Sequence, residues 1–189
     1  LNIVKSYYGI DFDTFSVAMF HPVTTEANFM KEYAQQFVDA LLKDNHNYVV
    51  IFPNNDNGSH HIIKAYEILK NNDRFKVFPS LRFEYFLTLL KNSQFIIGNS
   101  SAGIREAPYY GIPVINIGTR QQNRAVHSTI INTTYEEKSI SNALKTINSI
   151  QTEKLISGFG IGNSTQQFLD AMKSDAIWII NHQKQFTDI

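Results

Sequence analysis

A turn of small residues, Gly98-Asn-Ser-Ser-Ala-Gly103, carries the strongest chemical signal in this chain. It follows the apolar run Phe95-Ile-Ile97, which is typical of a buried strand, and a helix-compatible stretch comes next. Three backbone N–H groups are predicted to be unpaired donors at this helix start, those of Ser101, Ala102 and Gly103. The hydroxyls of Ser100 and Ser101 lie beside them, and a helix start favours negative charge. The turn therefore predicts a phosphate-binding site.

A histidine directly follows the first predicted strand. His21 begins the sequence His21-Pro-Val-Thr-Thr-Glu26. An imidazole at this place can act as a general acid or base, or as an imidazolium that stabilises a departing phosphate. Taken alone, the residue is also explained by a purely structural role, so both interpretations stay open.

One carboxylate and two guanidinium groups are the other candidates. Glu106 lies on the short helix behind the serine turn, where a carboxylate accepts both hydroxyls of a ribose or, alternatively, complements the helix dipole. Arg120 and Arg124 follow the fifth predicted strand and can clamp phosphates, although lone arginines are also often solvated. Because the adjacent His60 and His61 fall on different helix faces and no HExxH motif is present, we predict no metal.

Six short apolar runs, most of them separated by helix-periodic stretches, indicate an α/β fold with a parallel sheet. The predicted strands are 16–20, 47–52, 75–78, 94–98, 113–117 and 129–131. Helical faces that should pack on the sheet include Phe29 with Tyr33, and Phe83 with Phe86. Thr25 and Ser59 are the predicted N-caps. Ligands bind outside the carboxyl ends of parallel strands, so the residues after each run are expected to form the site.

Composition limits the domain count and the classes of partner. A chain of 189 residues with 43% hydrophobic content predicts one domain over 1–189. Seventeen basic residues balance seventeen acidic ones, and no basic run is present, so nucleic acid and anionic membranes are not expected partners. The absence of cysteine excludes disulfides and thiolate chemistry and is consistent with the cytoplasm. The sequence predicts no membrane-spanning segment and no signal peptide. Because it begins with Leu1, we expect a segment of a longer protein.

The motifs gain specificity because they occur together and in order. They are His21-Pro-Val-Thr-Thr-Glu26, Phe52-Pro-Asn-Asn-Asp-Asn-Gly-Ser59, Gly98-Asn-Ser-Ser-Ala-Gly-Ile-Arg-Glu-Ala-Pro108 and Pro113-Val-Ile-Asn-Ile-Gly-Thr-Arg-Gln121. Together they resemble the C-terminal half of UDP-N-acetylglucosamine 2-epimerases, most closely the hydrolysing branch that feeds sialic-acid-type sugar synthesis. The resemblance covers nearly all of the chain. It departs at Phe159-Gly-Ile-Gly162, where the family often has Tyr-Gly-Asp-Gly, so the acid of that turn is lost.

The resemblance implies a Rossmann-like three-layer domain, the C-terminal half of a GT-B architecture, with a UDP-sugar in the cleft between the halves. It places His21 beside the reacting sugar and the leaving phosphate, and Glu106 at the ribose. The loop after the third strand corresponds to the one that holds the uracil through backbone groups and an apolar side chain. The residue patterns described above add Gly103 and Arg120. The expected UDP-binding set is therefore Ser80, Leu81, Ser100, Ser101, Gly103, Glu106 and Arg120.

The family resembled here removes the proton at sugar C2, expels UDP and adds water to the unsaturated sugar. The products are UDP and N-acetylmannosamine or a related sugar, and the chemistry needs no metal and no nicotinamide cofactor. The carboxylates that move the proton belong to the N-terminal half, the expected partner from the same protein, so the segment alone should be inactive. A GT-B glycosyltransferase and a non-catalytic nucleotide-sugar sensor are the alternatives. The sequence leaves open which UDP-sugar is bound and whether a homo-oligomer forms.

Overall fold

One parallel sheet forms the centre of the computed structural model, which describes residues 1–124, 126–152, 154 and 159–179. The strands begin and end within two residues of their predicted bounds. They are β1 (Ser16–Met19), β2 (Tyr48–Ile51), β3 (Phe75–Phe78), β4 (Ile96–Gly98), β5 (Val114–Ile117) and β6 (Ile130–Thr133). Their order in the sheet is β3-β2-β1-β4-β5-β6. The predicted parallel α/β sheet is confirmed.

Helices connect the strands and lie on both faces of this sheet. They are α1 (Asn2–Tyr8), α2 (Met30–Lys43), α3 (Ser59–Tyr66), α4 (Phe83–Lys91), α5 (Ala102–Tyr110) and α6 (Glu137–Thr146). One apolar core contains residues of α2, α3 and α6, and a second contains residues of α1, α4 and α5. Neighbouring strand residues alternate between the cores, as Val17 and Ala18 do, because successive side chains leave a strand on opposite faces. The result is three layers.

The strand order reverses its direction between β1 and β4. The chain runs from β1 outward to β3 on one side and returns to β4 on the other, and Met19 pairs with Gly98 across this boundary. Gly98 has a φ of 135°, and a Cβ there would lie 1.9 Å from the Met19 carbonyl oxygen. Only glycine therefore fits where the two strands end side by side. In open α/β sheets such a switch point is where ligands bind.

Two predicted core aromatics are exposed. Phe29 is 55% exposed because the segment Thr24–Phe29 is a 3₁₀ segment kinked at Glu26, so the periodic buried face begins only at Met30. Phe83 is 63% exposed because it is the first residue of α4 and lies beyond the packed part of that helix.

The predicted N-caps are also wrong. The first helical segment after β1 has Val23 rather than Thr25 at its N-cap. Gly58, with a left-handed backbone, occupies the N-cap of α3, and Ser59 is the first helical residue. In both places the chain turns into the helix through backbone conformation without a side-chain cap.

The chain divides into two compact units, Leu1–Leu155 and Ile156–Ile189. In the second unit, α7 (Ser164–Lys173) is followed by a 3₁₀ turn over Asp175–Ile177, and the indole N–H of Trp178 donates to the Met172 carbonyl at 3.1 Å. The single domain over 1–189 stays a prediction. In the part of the chain that the structure describes, no helix is both long enough and apolar enough to cross a membrane.

Candidate functional site

A cavity of about 390 Å³ opens at the carboxyl ends of β1, β2 and β3. Its size is within the range of small-molecule sites. The walls are mainly apolar, with a few polar groups from separate segments. The lining residues are Met19, Ile51, Phe52, Pro53, Asn54, Pro79, Ser80, Leu81, Phe83, Phe86, Ser101, Ala102 and Glu106. Four members of the expected UDP-binding set, Ser80, Leu81, Ser101 and Glu106, therefore line one cavity.

The serine turn brings its donors to the start of α5, but fewer of them are free than the sequence suggests. The prediction that the Gly103 amide is unpaired is wrong. Its N–H donates to the Ser100 carbonyl at 3.1 Å as the first turn tightens. The Ala102 N–H donates to the Ser100 hydroxyl at 3.3 Å. Within the described residues, the Ser101 N–H and hydroxyl have no hydrogen-bond partner. Of the three amides predicted to be unpaired, that of Ser101 is the one without an acceptor among the described residues.

Gly103 has a packing function that its sequence position does not reveal. It is buried, and a Cβ there would come within 3.0 Å of the Val114 side chain and 3.8 Å of Ile96. The absence of a side chain lets α5 lie close against β4 and β5, which fixes the height of the serine turn above the sheet. A direct contact of Gly103 with UDP stays a prediction.

Glu106 lies on the cavity side of α5. The helix begins at Ala102 and has no acidic residue in its first turn, so the carboxylate is too far along the helix to complement the N-terminal dipole. Among the described residues it forms no ion pair. Of the two interpretations left open by the sequence, the geometry favours the one in which Glu106 meets a ligand.

Asn99 connects the ends of β1 and β4 and is fully buried. Its side-chain oxygen accepts from the His21 backbone N–H at 2.6 Å, and its side-chain NH₂ donates to the His21 carbonyl at 2.8 Å. Its own carbonyl accepts from Arg120 at 3.1 Å and from the side chain of Gln121 at 3.0 Å. Asn99 therefore holds two of the predicted site residues, His21 and Arg120, against the switch point.

The imidazole of His21 is neutral in this environment. Burial, followed by the positive charge of Arg120, lowers the pKa of His21 to about 4. The ring Nδ1 accepts from the Asn54 backbone N–H at 3.2 Å, so the ring proton is on Nε2. Without a ligand, His21 is a neutral donor rather than the imidazolium that the sequence also allowed. A bound phosphate would raise its pKa again by adding negative charge.

Both arginines after β5 donate a hydrogen bond, although Arg124 is exposed and Arg120 is half-buried. Arg120 donates to Asn99, and Arg124 donates to the Gln121 side chain at 3.3 Å. The hydrogen bond to Asn99 holds the Arg120 guanidinium near the switch point. A clamp on phosphates by Arg120 stays a prediction.

Comparison with known proteins identifies the family. The family model described as UDP-N-acetylglucosamine 2-epimerase matches residues 2–173. The chain is 44% identical over its whole length to the UDP-N-acetylglucosamine 2-epimerase of Neisseria meningitidis serogroup B, of which it covers 51%. The chain belongs to the UDP-N-acetylglucosamine 2-epimerase family. It spans 51%, 38% and 46% of the lengths of three curated relatives that it matches.

A further relative and a solved structure resemble this chain. The hydrolyzing UDP-N,N'-diacetylbacillosamine 2-epimerase of Legionella pneumophila is 26% identical over 92% of the chain and 46% of that protein. A crystal structure of the Methanocaldococcus jannaschii UDP-GlcNAc 2-epimerase, in complex with UDP-GlcNAc and UDP, superposes with a TM-score of 0.72 and 15% identity over 91% of the chain and 48% of that structure. The fold of this epimerase-family chain is therefore the predicted Rossmann-like half of a GT-B architecture.

The sequence did not predict the contacts of two residues that organise the site of this epimerase-family chain. Asn99 lies in one of the stretches after strands that are expected to form the site, but the sequence does not predict that its side chain bridges to His21, 78 residues earlier. Tyr8 in α1 reaches the loop after β3 and received no prediction. The only sequence signal for Asn99 is its position directly after a strand, next to a glycine. Tyr8 gives no comparable signal.

Proposed function

We propose that this chain is the UDP-binding half of a hydrolysing UDP-N-acetylglucosamine 2-epimerase. One observation carries the proposal. Ser80 and Leu81 after β3, Ser101 before α5, and Glu106 within α5 line a single cavity at the switch point of the sheet. Such a cavity, with apolar walls and a few convergent polar groups, is typical of nucleotide sites in this fold.

The diphosphate is proposed to lie at the start of α5. There the Ser101 N–H and hydroxyl have no partner within the described residues, and the helix dipole adds positive potential. Ser100 supports this site indirectly, because its carbonyl and hydroxyl accept hydrogen bonds from the first turn of the helix. Arg120, bonded to Asn99, supplies a positive charge on the far side of the turn.

The nucleoside is proposed to extend from Ser101 across the cavity toward the loop after β3. Glu106 is one turn further along α5 and accepts the ribose hydroxyls, since a carboxylate in its ionised form is an acceptor only. The base lies against Leu81, which is half-buried on the second apolar core, and reaches backbone groups near Ser80. The exposed ring of Phe83 borders the same cavity and offers the base an aromatic surface.

His21 is proposed to act on the leaving group. Its neutral ring carries a proton on Nε2 and can donate a hydrogen bond to the phosphate oxygen on which charge develops as the bond to sugar C1 breaks. The interaction strengthens in the transition state, which is the condition for raising kcat rather than only tightening binding. The two hydrogen bonds between the Asn99 side chain and the His21 backbone, one donated by each, fix where this donor lies.

The complete reaction needs the other half of the enzyme. A base removes the proton from sugar C2, the C1–O bond breaks with its electron pair going to UDP, and water adds hydroxyl at C1 and a proton at C2. The hydrolysing outcome is supported by the Legionella relative, whose name specifies hydrolysis. The base and the groups that activate water are proposed to come from outside this chain, so the chain by itself binds UDP weakly and does not turn over substrate.

Product analysis tests the proposal. The natural full-length protein is incubated with UDP-N-acetylglucosamine in water with no acceptor, and nuclear magnetic resonance follows the sugar. We expect equal amounts of UDP and N-acetylmannosamine or a closely related free sugar, with deuterium at C2 when the solvent is D₂O. Formation of UDP-N-acetylmannosamine would show a non-hydrolysing epimerase instead.

Two other outcomes would overturn the enzyme assignment. UDP release that requires an added sugar acceptor would identify a glycosyltransferase. Tight binding of the UDP-sugar without any UDP release or deuterium exchange would identify a nucleotide-sugar sensor. UDP-N,N'-diacetylbacillosamine is tested as a second substrate. If only this diacetamido sugar nucleotide reacts, the hydrolysing assignment stands and the sugar specificity is resolved.

A further inference from the structure

The loop after β3 is attached to α1 through one hydroxyl group. Tyr8, the last residue of α1, accepts a hydrogen bond from the backbone N–H of Arg82 at 3.0 Å. Arg82 directly follows Ser80 and Leu81 and occupies the N-cap of α4. A residue 74 positions earlier in the chain thus fixes the end of the loop that borders the cavity.

An aromatic cluster keeps this tyrosine in place. The Tyr8 ring packs edge-on against Phe78 at 5.2 Å and Tyr85 at 6.0 Å between ring centroids. Phe78 is the last residue of β3 and Tyr85 lies in the first turn of α4, so the ring contacts both ends of the loop. Leu81 packs on the same apolar core as Tyr8. The hydroxyl is therefore presented to the Arg82 amide by a rigid support.

The side chain of Arg82 is held by the same cluster. Its guanidinium lies 5.3 Å from the ring centroid of Tyr7 and 5.8 Å from that of Tyr85, both within cation–π range. Backbone and side chain of Arg82 are consequently anchored on α1 and α4. The two residues before it, Ser80 and Leu81, are left facing the cavity that they line.

We propose that Tyr8 is a positioning residue for nucleotide binding: its hydroxyl holds the loop over Ser80 and Leu81 in the conformation that receives the base. This inference rests on the proposed function, because it takes that loop as the base-binding wall of the cavity. A loop that is already ordered pays less conformational entropy when a ligand binds, so the hydroxyl contributes to base affinity without touching the base. The diphosphate end, at Ser101, is outside its influence.

The matched pair of variants Tyr8→Phe and Tyr7→Phe tests the inference. Tyr8→Phe removes the acceptor of the Arg82 hydrogen bond and keeps the ring that packs on Phe78. Tyr7→Phe removes a neighbouring hydroxyl that has no hydrogen bond in the described part of the chain and keeps the ring under Arg82. Calorimetry measures UDP, uridine and inorganic pyrophosphate binding to the natural full-length protein, and thermal unfolding checks the fold of each variant.

We expect Tyr8→Phe to weaken UDP and uridine by the same factor, about 2- to 10-fold, the range of one hydrogen bond, and to leave pyrophosphate affinity unchanged. Tyr7→Phe should match the wild type for all three ligands. Equal uridine affinities in the two variants would contradict the role of Tyr8 while leaving the proposed function intact. An equal loss for pyrophosphate would show a general effect on stability and would also contradict it. Failure of the wild type to bind UDP would overturn the proposed function and this inference together.

Discussion

The cavity at the switch point and a groove between α2 and α6 differ in both size and chemistry. The groove, about 540 Å³, is the larger of the two and contains Lys43, Glu137 and Lys145. Glu137 in this groove is already paired: it accepts from Lys43 at 2.8 Å and from Ser141 at 2.7 Å. The cavity, about 390 Å³, contains Ser101 and Glu106, which have no such partners among the described residues.

This difference shows what makes a concave surface a binding site. Volume alone would select the groove. Unpaired polar groups that converge from separate strand ends, beside an apolar wall, select the cavity. The groove nevertheless contains lysines, which also attract phosphates. Experiments can therefore decide which of the two surfaces binds the diphosphate.

Removal of the His21 ring should have the largest effect. In the full-length enzyme, His21→Asn should lower kcat by about 100- to 10,000-fold, with KM nearly unchanged, because the donor acts mainly on the departing phosphate. The fold should survive, since Asn99 holds the backbone of residue 21 and not its ring. The control His60→Asn changes an exposed histidine on α3. If steady-state kinetics show near-normal kcat for both variants, His21 does not act on the leaving group and has a structural role only.

Loss of the Ser101 hydroxyl should weaken UDP binding by about 1–2 kcal/mol, the value of a hydrogen bond to a charged group. Uridine, which lacks the diphosphate, should bind as before. The paired control Lys145→Ala removes a positive charge from the groove and should leave UDP affinity unchanged. Calorimetry that shows a greater loss for the Lys145 variant than for Ser101→Ala would place the diphosphate in the groove and reverse the comparison.

Neutralisation of Glu106 distinguishes the ribose end of the cavity from its phosphate end. Glu106→Gln keeps the shape of the side chain but replaces one acceptor oxygen by a donor, so UDP and uridine should both weaken by about 0.5–1.5 kcal/mol. Pyrophosphate affinity should stay the same or rise slightly as a negative charge disappears. If pyrophosphate alone responded in the titration, Glu106 would lie at the phosphates and not at the ribose.

A separate effect is expected on stability as the pH falls. The pKa of His21 is about 4 in the fold, because of burial and then Arg120, against about 6.5 in an unfolded chain. Between these values the unfolded chain binds a proton that the folded chain does not, so this residue lowers stability as the pH falls from about 6.5 toward 4 and has no such effect above that window. His21→Asn should therefore lose less thermal stability between pH 7 and pH 5 than the wild type or His60→Asn. Identical losses in all three proteins would contradict the lowered pKa.

The sequence predicted the strands well because each is a short apolar run between polar turns, and burial on both faces of a parallel sheet requires such runs. It also placed Ser101 and Glu106 correctly on the turn and on the helix that follows it. These features are local. A few consecutive residues are sufficient to specify them.

The residues that organise the site depend on distant pairings, which local pattern does not contain. Asn99 meets His21 only because β1 and β4 are neighbours in register, and Tyr8 meets Arg82 only because α1 packs beside α4. The amide of Gly103 was expected to be free, but a tighter first turn pairs it with Ser100. The burial that neutralises His21 likewise arises from surrounding segments and cannot be read from the residue itself.

The central claim is that UDP occupies the cavity at the switch point, with its diphosphate at Ser101 and its base at Leu81. A crystal structure of the natural full-length protein with UDP tests it most directly. We expect phosphate oxygens within about 3.2 Å of the Ser101 N–H nitrogen and hydroxyl oxygen, ribose hydroxyls on Glu106, and uracil against Leu81. UDP bound in the groove between α2 and α6, or in the cavity with its phosphates away from Ser101, would contradict the account.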